Sequence, residues 1–336
     1  MKSARTSFLA QLGVLIPLGF LLAGLYPQAA RCQITPDQAT QIRSAIGNRI
    51  EALTILGGDY GISGGAFRST GAFQRSSSDA RLVVSKLGGA GELGAPRPLG
   101  DLEIGWQPRL QGNMGYVEAT NDIHSPLLEG DRNQFRTAGL EFGGGARFWL
   151  SNAFSVSPTL LGIYGRTWNS YTANSAFMLA NLPLANQLGL VNWTVDTATV
   201  VADLGFQYVV NWERTIIKLT MTPTYYHTES IRSSSDQVSV HGDSGSLAFK
   251  VDVDVPLGVE FFGHELRTGG SFSHSELYGS LRDGLKEDYL NELHGRLVLD
   301  YLNQLWKVQW IGIGASYVWG SNVTGWTAGA DISFRL

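Results

Sequence analysis

The chain has 336 residues, of which only 16% are charged, and 41 are glycine against the ~7% share of an ordinary domain. Its 25 Lys and Arg against 29 Asp and Glu, a formal net charge of −4, leave no basic footprint for nucleic acid, and its single Cys excludes a disulfide framework or a multi-thiolate metal site. With 43% apolar residues it is no disordered chain, and a mean hydropathy of −0.02 suits many strands in which polar and apolar residues alternate.

At the N-terminus Lys2 and Arg5 precede an apolar run from Phe8 to Tyr26, broken only by Gln11 and Pro17. A basic segment followed by an apolar one is the layout of a secretory signal. Ala30-Arg31-Cys32 places small residues at −3 and −1, so residues 1–32 read as a signal peptide cleaved before Gln33, while Arg31 before Cys32 argues against a lipoprotein site. The competing reading is an uncleaved anchor, since the run is long enough to cross a bilayer. Cleavage would remove the only Cys together with Lys2, Arg5 and Arg31. Beyond residue 33 no stretch of ~18 residues is apolar throughout, so the mature chain has no ordinary membrane helix.

Residues 33–57 read as a helix: Thr35 as N-cap, Pro36 and Asp37 in the first turn, then Ile42, Ile46, Ile50 and Leu53 at helical spacing. From residue 58 to 336 the period is two. Ile104, Trp106, Leu110, Met114 and Tyr116 alternate with polar residues over 102–117, and Leu140, Phe142, Ala146 and Phe148 do so over 137–150. The same pattern runs through 198–210, 215–226, 246–255, 292–301 and 326–336, and every charge in these seven segments falls on the polar face. Weaker strands are expected near 58–70, 80–89, 153–165, 265–278 and 305–319. Connections fall into a short set, such as Ser151-Asn152, 211–214 and Asn303-Gln304, and a mostly longer polar set near 71–79, 121–133, 167–190, 228–237 and 279–288. A connection is also expected at 256–264. Short turns on one rim and long loops on the other belong to an all-β, transmembrane, up-and-down antiparallel barrel of about twelve strands.

Soluble barrels alternate too, with the apolar face inward. At about twelve strands the interior is too wide for side chains to fill as a dry core, so the apolar face is expected to point out to lipid. Trp106, Tyr116, Trp149, Tyr164, Tyr208, Tyr225, Tyr301, Trp306, Trp319 and Trp326, mostly near strand ends, read as interfacial girdles. The polar face then lines the lumen with Glu103, Arg109, Glu141, Arg147, Asp203, Lys218, Lys250, Asp252, Asp254, Glu292, His294, Arg296, Asp300, Asp331 and Arg335. Interleaved signs suit either a charge-selective pore or, more simply, a hydrogen-bonded interior that stabilises the barrel or seats the helix.

At the C-terminal end, Thr327, Gly329, Ile332 and Phe334 resemble the terminal-strand signal of bacterial outer-membrane barrels, which the barrel-assembly machinery reads. Ile332 occupies a usually aromatic place, and the chain ends two residues past Phe334, at Leu336. One helix followed by about twelve strands also resembles the translocator barrel of autotransporters, whose helix runs through the pore to a passenger. Only residues 33–57 separate the expected cleavage site from the first strand, so the resemblance is to a solitary, passenger-less barrel over residues 35–336. It implies a bacterial outer-membrane protein whose partners are outer-membrane lipid and the assembly machinery, with no nucleic acid, and whose role is a non-catalytic pore or scaffold with a possible helix plug.

The alternatives are a general diffusion porin and a lipid-modifying enzyme. His274 in Ser271-Phe272-Ser273-His274-Ser275 and His227 beside Thr228 are candidate bases, but no Ser/His/acid arrangement is recognisable. Asp252 and Asp254 share a face and invite Ca²⁺, yet Lys250 beside them is the readier partner, so no metal site and no cofactor are expected. The Gly143-Gly144-Gly145 run reads as small residues relieving crowding within a strand. The apolar connection 167–190 suits a constriction, a cap, a partner contact or, most simply, a small helix packed on its loop neighbours.

Overall fold

Side chains that alternate along a strand leave one face of a sheet apolar, and a sheet long enough to close on itself has no unpaired edge. A computed structural model describes residues 36–59, 65–69, 78–99, 102–123, 128–305 and 308–334. The expected signal peptide, the N-cap Thr35, Trp306 and Arg335 therefore lie outside the described residues. The chain opens with helix α1 (Pro36–Gly58), followed by strands β1 (Gly65–Ser69), β2 (Ser78–Glu92), β3 (Arg97–Leu99), β4 (Leu102–Ile123), β5 (Arg132–Trp149) and β6 (Phe154–Thr172). Then come α2 (Ala176–Gln187), β7 (Thr194–Trp212), β8 (Thr215–Ser233), β9 (His241–Phe261), β10 (His264–Tyr278), α3 (Gly279–Leu285), β11 (Tyr289–Leu305), β12 (Val308–Gly320) and β13 (Val323–Phe334). Among the described residues no helix is long and apolar enough to cross a membrane.

Each strand from β4 to β13 pairs antiparallel with the next, β13 pairs with β1, β1 with β2, and β2 with β4. These pairings close a ring of twelve strands, and short β3 takes the place of β2 beside the first residues of β4. Leu110, Met114, Leu140, Phe142, Leu160, Val200, Leu219, Val251, Leu293 and Ile313 are exposed, whereas Gln111, Asn113, Thr137, Glu141, Thr197, Thr199, Thr228 and Asp252 are buried. The apolar row thus looks out and the polar row in, the reverse of a soluble barrel.

Of the weaker strands, β10 covers 265–278, and in β12 Ile313 and Tyr317 point out while Ser316 and Val318 are buried. Three expectations need correction. The connection at 256–264 shrinks to the Phe262-Gly263 turn, because Pro256 and Gly258 sit at a bulge opposite Leu266 and Arg267 rather than ending β9. The Asn303-Gln304 turn is strand, since β11 runs through both to Leu305. Trp149 joins no outer girdle: it shares the inward face of Arg147, whose guanidinium lies 5.3 Å from its ring. Strands also run further than expected on the long-loop side, where β4 reaches Ile123, β6 Thr172 and β8 Ser233. There the outward positions hold Glu118, Arg136, Arg166 and Glu229, so the apolar alternation stops while the hydrogen-bonded ladder continues.

Candidate functional site

The outward girdle and the inward row leave one large feature to explain, the seating of α1. Its residues Ile46, Ile50, Leu53 and Leu56 recur three or four apart and are all buried, on a cluster of Val84, Val117, Ala119, Phe135, Trp193, Val195, Val238 and Val240. The next stripe round the helix, Ala52 and Ile55, meets Leu161, Ile163, Val201, Tyr226, Leu277 and Leu281. The helix therefore packs on the inward face of β2, β4–β7 and β9. Its first half lies at the long-loop rim, where Arg43 donates to the Gln237 side chain, and its C-terminal end reaches down between the strands.

Helix ends leave carbonyls without intrahelical donors and carry partial negative charge. Here the barrel wall supplies the donors: Asn113 Nδ2 bonds the Gly58 carbonyl, Lys86 Nζ donates to the Asp59 carbonyl at 2.5 Å, and the Tyr226 hydroxyl donates to the Asp59 carboxylate. Further up, Thr54 Oγ1 lies 3.0 Å from Thr197 Oγ1 and the Ser244 hydroxyl donates to Glu51 at 2.7 Å. The approach is close because three glycines face the helix in one register row, Gly115 opposite Gly139 and Gly139 opposite Gly165. A Cβ at Gly115 would come within 2.3 Å of the Gly57 carbonyl oxygen, at Gly139 within 2.8 Å of its carbon, and at Gly165 within 2.6 Å of Thr54 Cγ2.

Two loop helices complete the outer end. α3 lies so near α1 that a Cβ at Gly284 would stand 2.2 Å from the Asn48 carbonyl oxygen. Within the apolar 167–190 segment, α2 packs with Ile123, Leu128, Tyr171 and Val191, which is the small helix on its loop neighbours. Buried Asp131 pins its start, accepting from the backbone of Asn174 and Ser175 (2.6 and 2.7 Å) and from the hydroxyls of Ser175 and Tyr171 (both 2.8 Å).

The charged inward residues gather elsewhere, towards the short-turn rim. Arg296 grips Asp252 with both terminal nitrogens, at 2.7 and 2.9 Å, and lies 3.7 Å from Asp254, whose carboxylate also accepts from Arg267 Nε at 2.6 Å. Arginines of β11 and β10 hydrogen-bond the two aspartates, and the expected Lys250, with Lys218, adds its charge beside Asp252. Arg147 pairs with Glu92 at 2.5 Å and bonds Ser157 Oγ at 3.3 Å, and buried Glu141 accepts from Gln111 at 2.9 Å. His294 Nδ1 is 2.8 Å from Ser316 Oγ. Lys218 and Lys250 are exposed, while Arg109, Asp203, Glu292 and Asp300 are half-buried. The side chains of Glu103, Asp331, Ile332 and Phe334 lie outside those described. Thr327 is buried and Gly329 exposed, both within β13, against which β1 closes the ring.

Among the described residues neither candidate base is shown bonded to a serine: His274 Nδ1 is 2.8 Å from Asn291 Oδ1, and His227 Nδ1 is 2.9 Å from Asp243 Oδ1. What the sequence reading missed is the glycine row and the capping trio Lys86, Asn113 and Tyr226. Their one sequence signal was glycine recurring within strand segments, which marks close backbone approach.

The description that fits residues 97–328 among protein families is the solitary outer membrane autotransporter beta-barrel domain. Among solved structures, the beta domain of the Bordetella autotransporter BrkA is similar at a TM-score of 0.51 with 13% identity, over 81% of this chain and 99% of that one. The transport unit of the autotransporter AIDA-I from Escherichia coli is similar at 0.53 with 10% identity, over 88% and 100%. At these identities the likeness is one of fold. No curated protein matches.

Proposed function

The chain belongs to the family of solitary outer-membrane autotransporter β-barrel domains, which places it in the bacterial outer membrane, and we propose that it works there as a non-catalytic pore-type barrel whose outer half is plugged by α1. Export by residues 1–32, folding by the assembly machinery through the Thr327, Gly329, Ile332 and Phe334 signal, and contact with outer-membrane lipid along the apolar face belong to the same reading. The observation that carries it is the seat of the helix: its last carbonyls are capped by side chains of two strands, and its backbone fits against a glycine row spanning three. A helix resting loosely on the wall would need neither.

Below the seat, the inward residues Arg109, Arg147, Asp203, Lys218, Lys250, Asp252, Asp254 and Arg296 form a charged inner half that holds water, the state in which ions cross once the helix is displaced. Planar-bilayer recording tests the reading. The intact mature protein should conduct little, and deletion of residues 34–56 should open a larger, steady conductance. Equal conductance with and without the helix, or none in either, would remove the plug.

A further inference from the structure

The outward face of β8 changes character at Tyr225. Below it the row is apolar with Leu219; above it come His227 and Glu229. Antiparallel pairing sets His227 opposite Asp243 and Glu229 opposite His241, so two histidines and two carboxylates from two strands share one outward patch at the long-loop end. Among the described residues none of these side chains is shown hydrogen-bonded to α1 or paired in the inner ion pairs, although His227 and Asp243 act on the charge of Glu51 through the wall.

The distances within the patch also suit a bound metal ion. Glu229 Oε1 lies 3.5 Å from His227 Nε2 and 3.3 Å from His241 Nδ1, and one donor atom from each of the three residues lies within 4.8 Å of the others. Tetrahedral Zn²⁺ with bonds of about 2.0–2.2 Å needs ligand atoms about 3.3–3.5 Å apart. The ring tautomer of His227 is set by its neighbour. A carboxylate only accepts, so Asp243 Oδ1, 2.9 Å from His227 Nδ1, requires that nitrogen to be the donor. In the neutral ring Nε2 then carries the lone pair on the side of Glu229, the arrangement a metal-ligating imidazole adopts. The Tyr225 hydroxyl donates to the same Asp243 oxygen at 2.5 Å and fixes the carboxylate that orients the ring.

We propose that His227, Glu229 and His241 form a surface site for a divalent transition ion of the zinc type, with Asp243 as positioning residue and a fourth coordination place open to solvent. Nitrogen and oxygen donors in this mixture favour Zn²⁺ over the all-oxygen coordination of Ca²⁺ or Mg²⁺. The ion would clamp β8 to β9 just beyond the aromatic boundary of the membrane.

Isothermal titration of Zn²⁺ into the full chain tests this, in detergent micelles, stripped by chelator, without affinity tag and with Cys32→Ser so that no thiol competes. One ion should bind per chain. His227→Ala and His241→Ala should each weaken it at least tenfold, while Asp243→Asn should weaken it about tenfold with the stoichiometry unchanged. His264→Ala, at the other end of the barrel wall, should bind as the parent does. Co²⁺ in place of Zn²⁺ should give the intense visible bands of a tetrahedral site. Absence of saturable binding in the parent, or undiminished binding in a folded His227→Ala/His241→Ala variant, overturns the assignment.

Discussion

The two halves of the barrel interior solve different problems with the same strands. In the outer half the wall must receive an apolar helix, so inward positions become Val117, Phe135, Leu161, Ile163, Val195 and Val201, interspersed with threonines and the row Gly115, Gly139 and Gly165. In the inner half no helix arrives among the described residues, and the same inward positions carry Arg147, Asp252, Asp254 and Arg296 held in ion pairs. One rule covers both: an inward side chain is chosen by what it faces, helix above and opposite charge below. The outward row is apolar in both, because the membrane is the same for each until the charged outer rim.

The sharpest way to break that comparison is in the inner half. Arg296→Met removes both bonds from Asp252 and leaves a carboxylate that is only 8% exposed without the cation that hydrogen-bonds it, with only the charges of Lys218 and Lys250 beside it. The expected loss is about 3–5 kcal/mol in denaturant unfolding from detergent. Adding Asp252→Asn should restore most of it, since the cost lies in the stranded charge. Unchanged stability in the single variant would show that water in the inner half already satisfies Asp252.

The outer half should respond to bulk rather than to charge. Gly139→Val places a Cβ against the backbone of Gly57, which has no flexible end to move aside. About 1–3 kcal/mol of stability should be lost, and bilayer conductance should rise towards that of the helix deletion. Gly295→Val, where a Cβ meets nothing within 4 Å, is the matched control and should change neither. A stable, non-conducting Gly139→Val protein would mean that α1 does not depend on this groove.

The same division explains what the sequence made legible. Segments such as 246–255 alternate cleanly because lipid and a polar interior demand opposite residues on the two faces. Where α1 packs, the inward residues are apolar too, and 153–165 reads as a weak strand because Leu161 and Ile163 point in beside Leu160 pointing out. The ion pairs were legible as a charged face but not as partners, since Arg296 and Asp252 sit 44 positions apart on strands that do not pair with each other. The glycine row is a register property, visible only when three strands are laid side by side. The His227, Glu229, His241 and Asp243 patch was hidden for the same reason.

The smallest expected effect lies in the loops that hold the outer half together. Glu287, between α3 and β11, is buried and accepts the Asn322 backbone N–H with both oxygens at 3.0 Å, joining this connection to the β12–β13 turn. Burial raises its carboxyl to about 7, against a partial opposing pull from the hydrogen bonds of Asn322 and Ser321. A carboxyl raised on folding favours the folded loop while it stays protonated. That contribution is complete below the ordinary value of 4.5 and is lost as pH rises through about 7. Exchange of the Asn322 amide should therefore be best protected near the acidic end of that window, after correction for the intrinsic rate, and should lose protection towards pH 8. Glu287→Gln keeps an acceptor and removes the titration, so its protection should be level across the range. A parallel pH dependence in the variant would assign the effect to another group, and the loops would then be held by the Lys286 carbonyl, which Asn322 Nδ2 bonds at 2.5 Å whatever the pH.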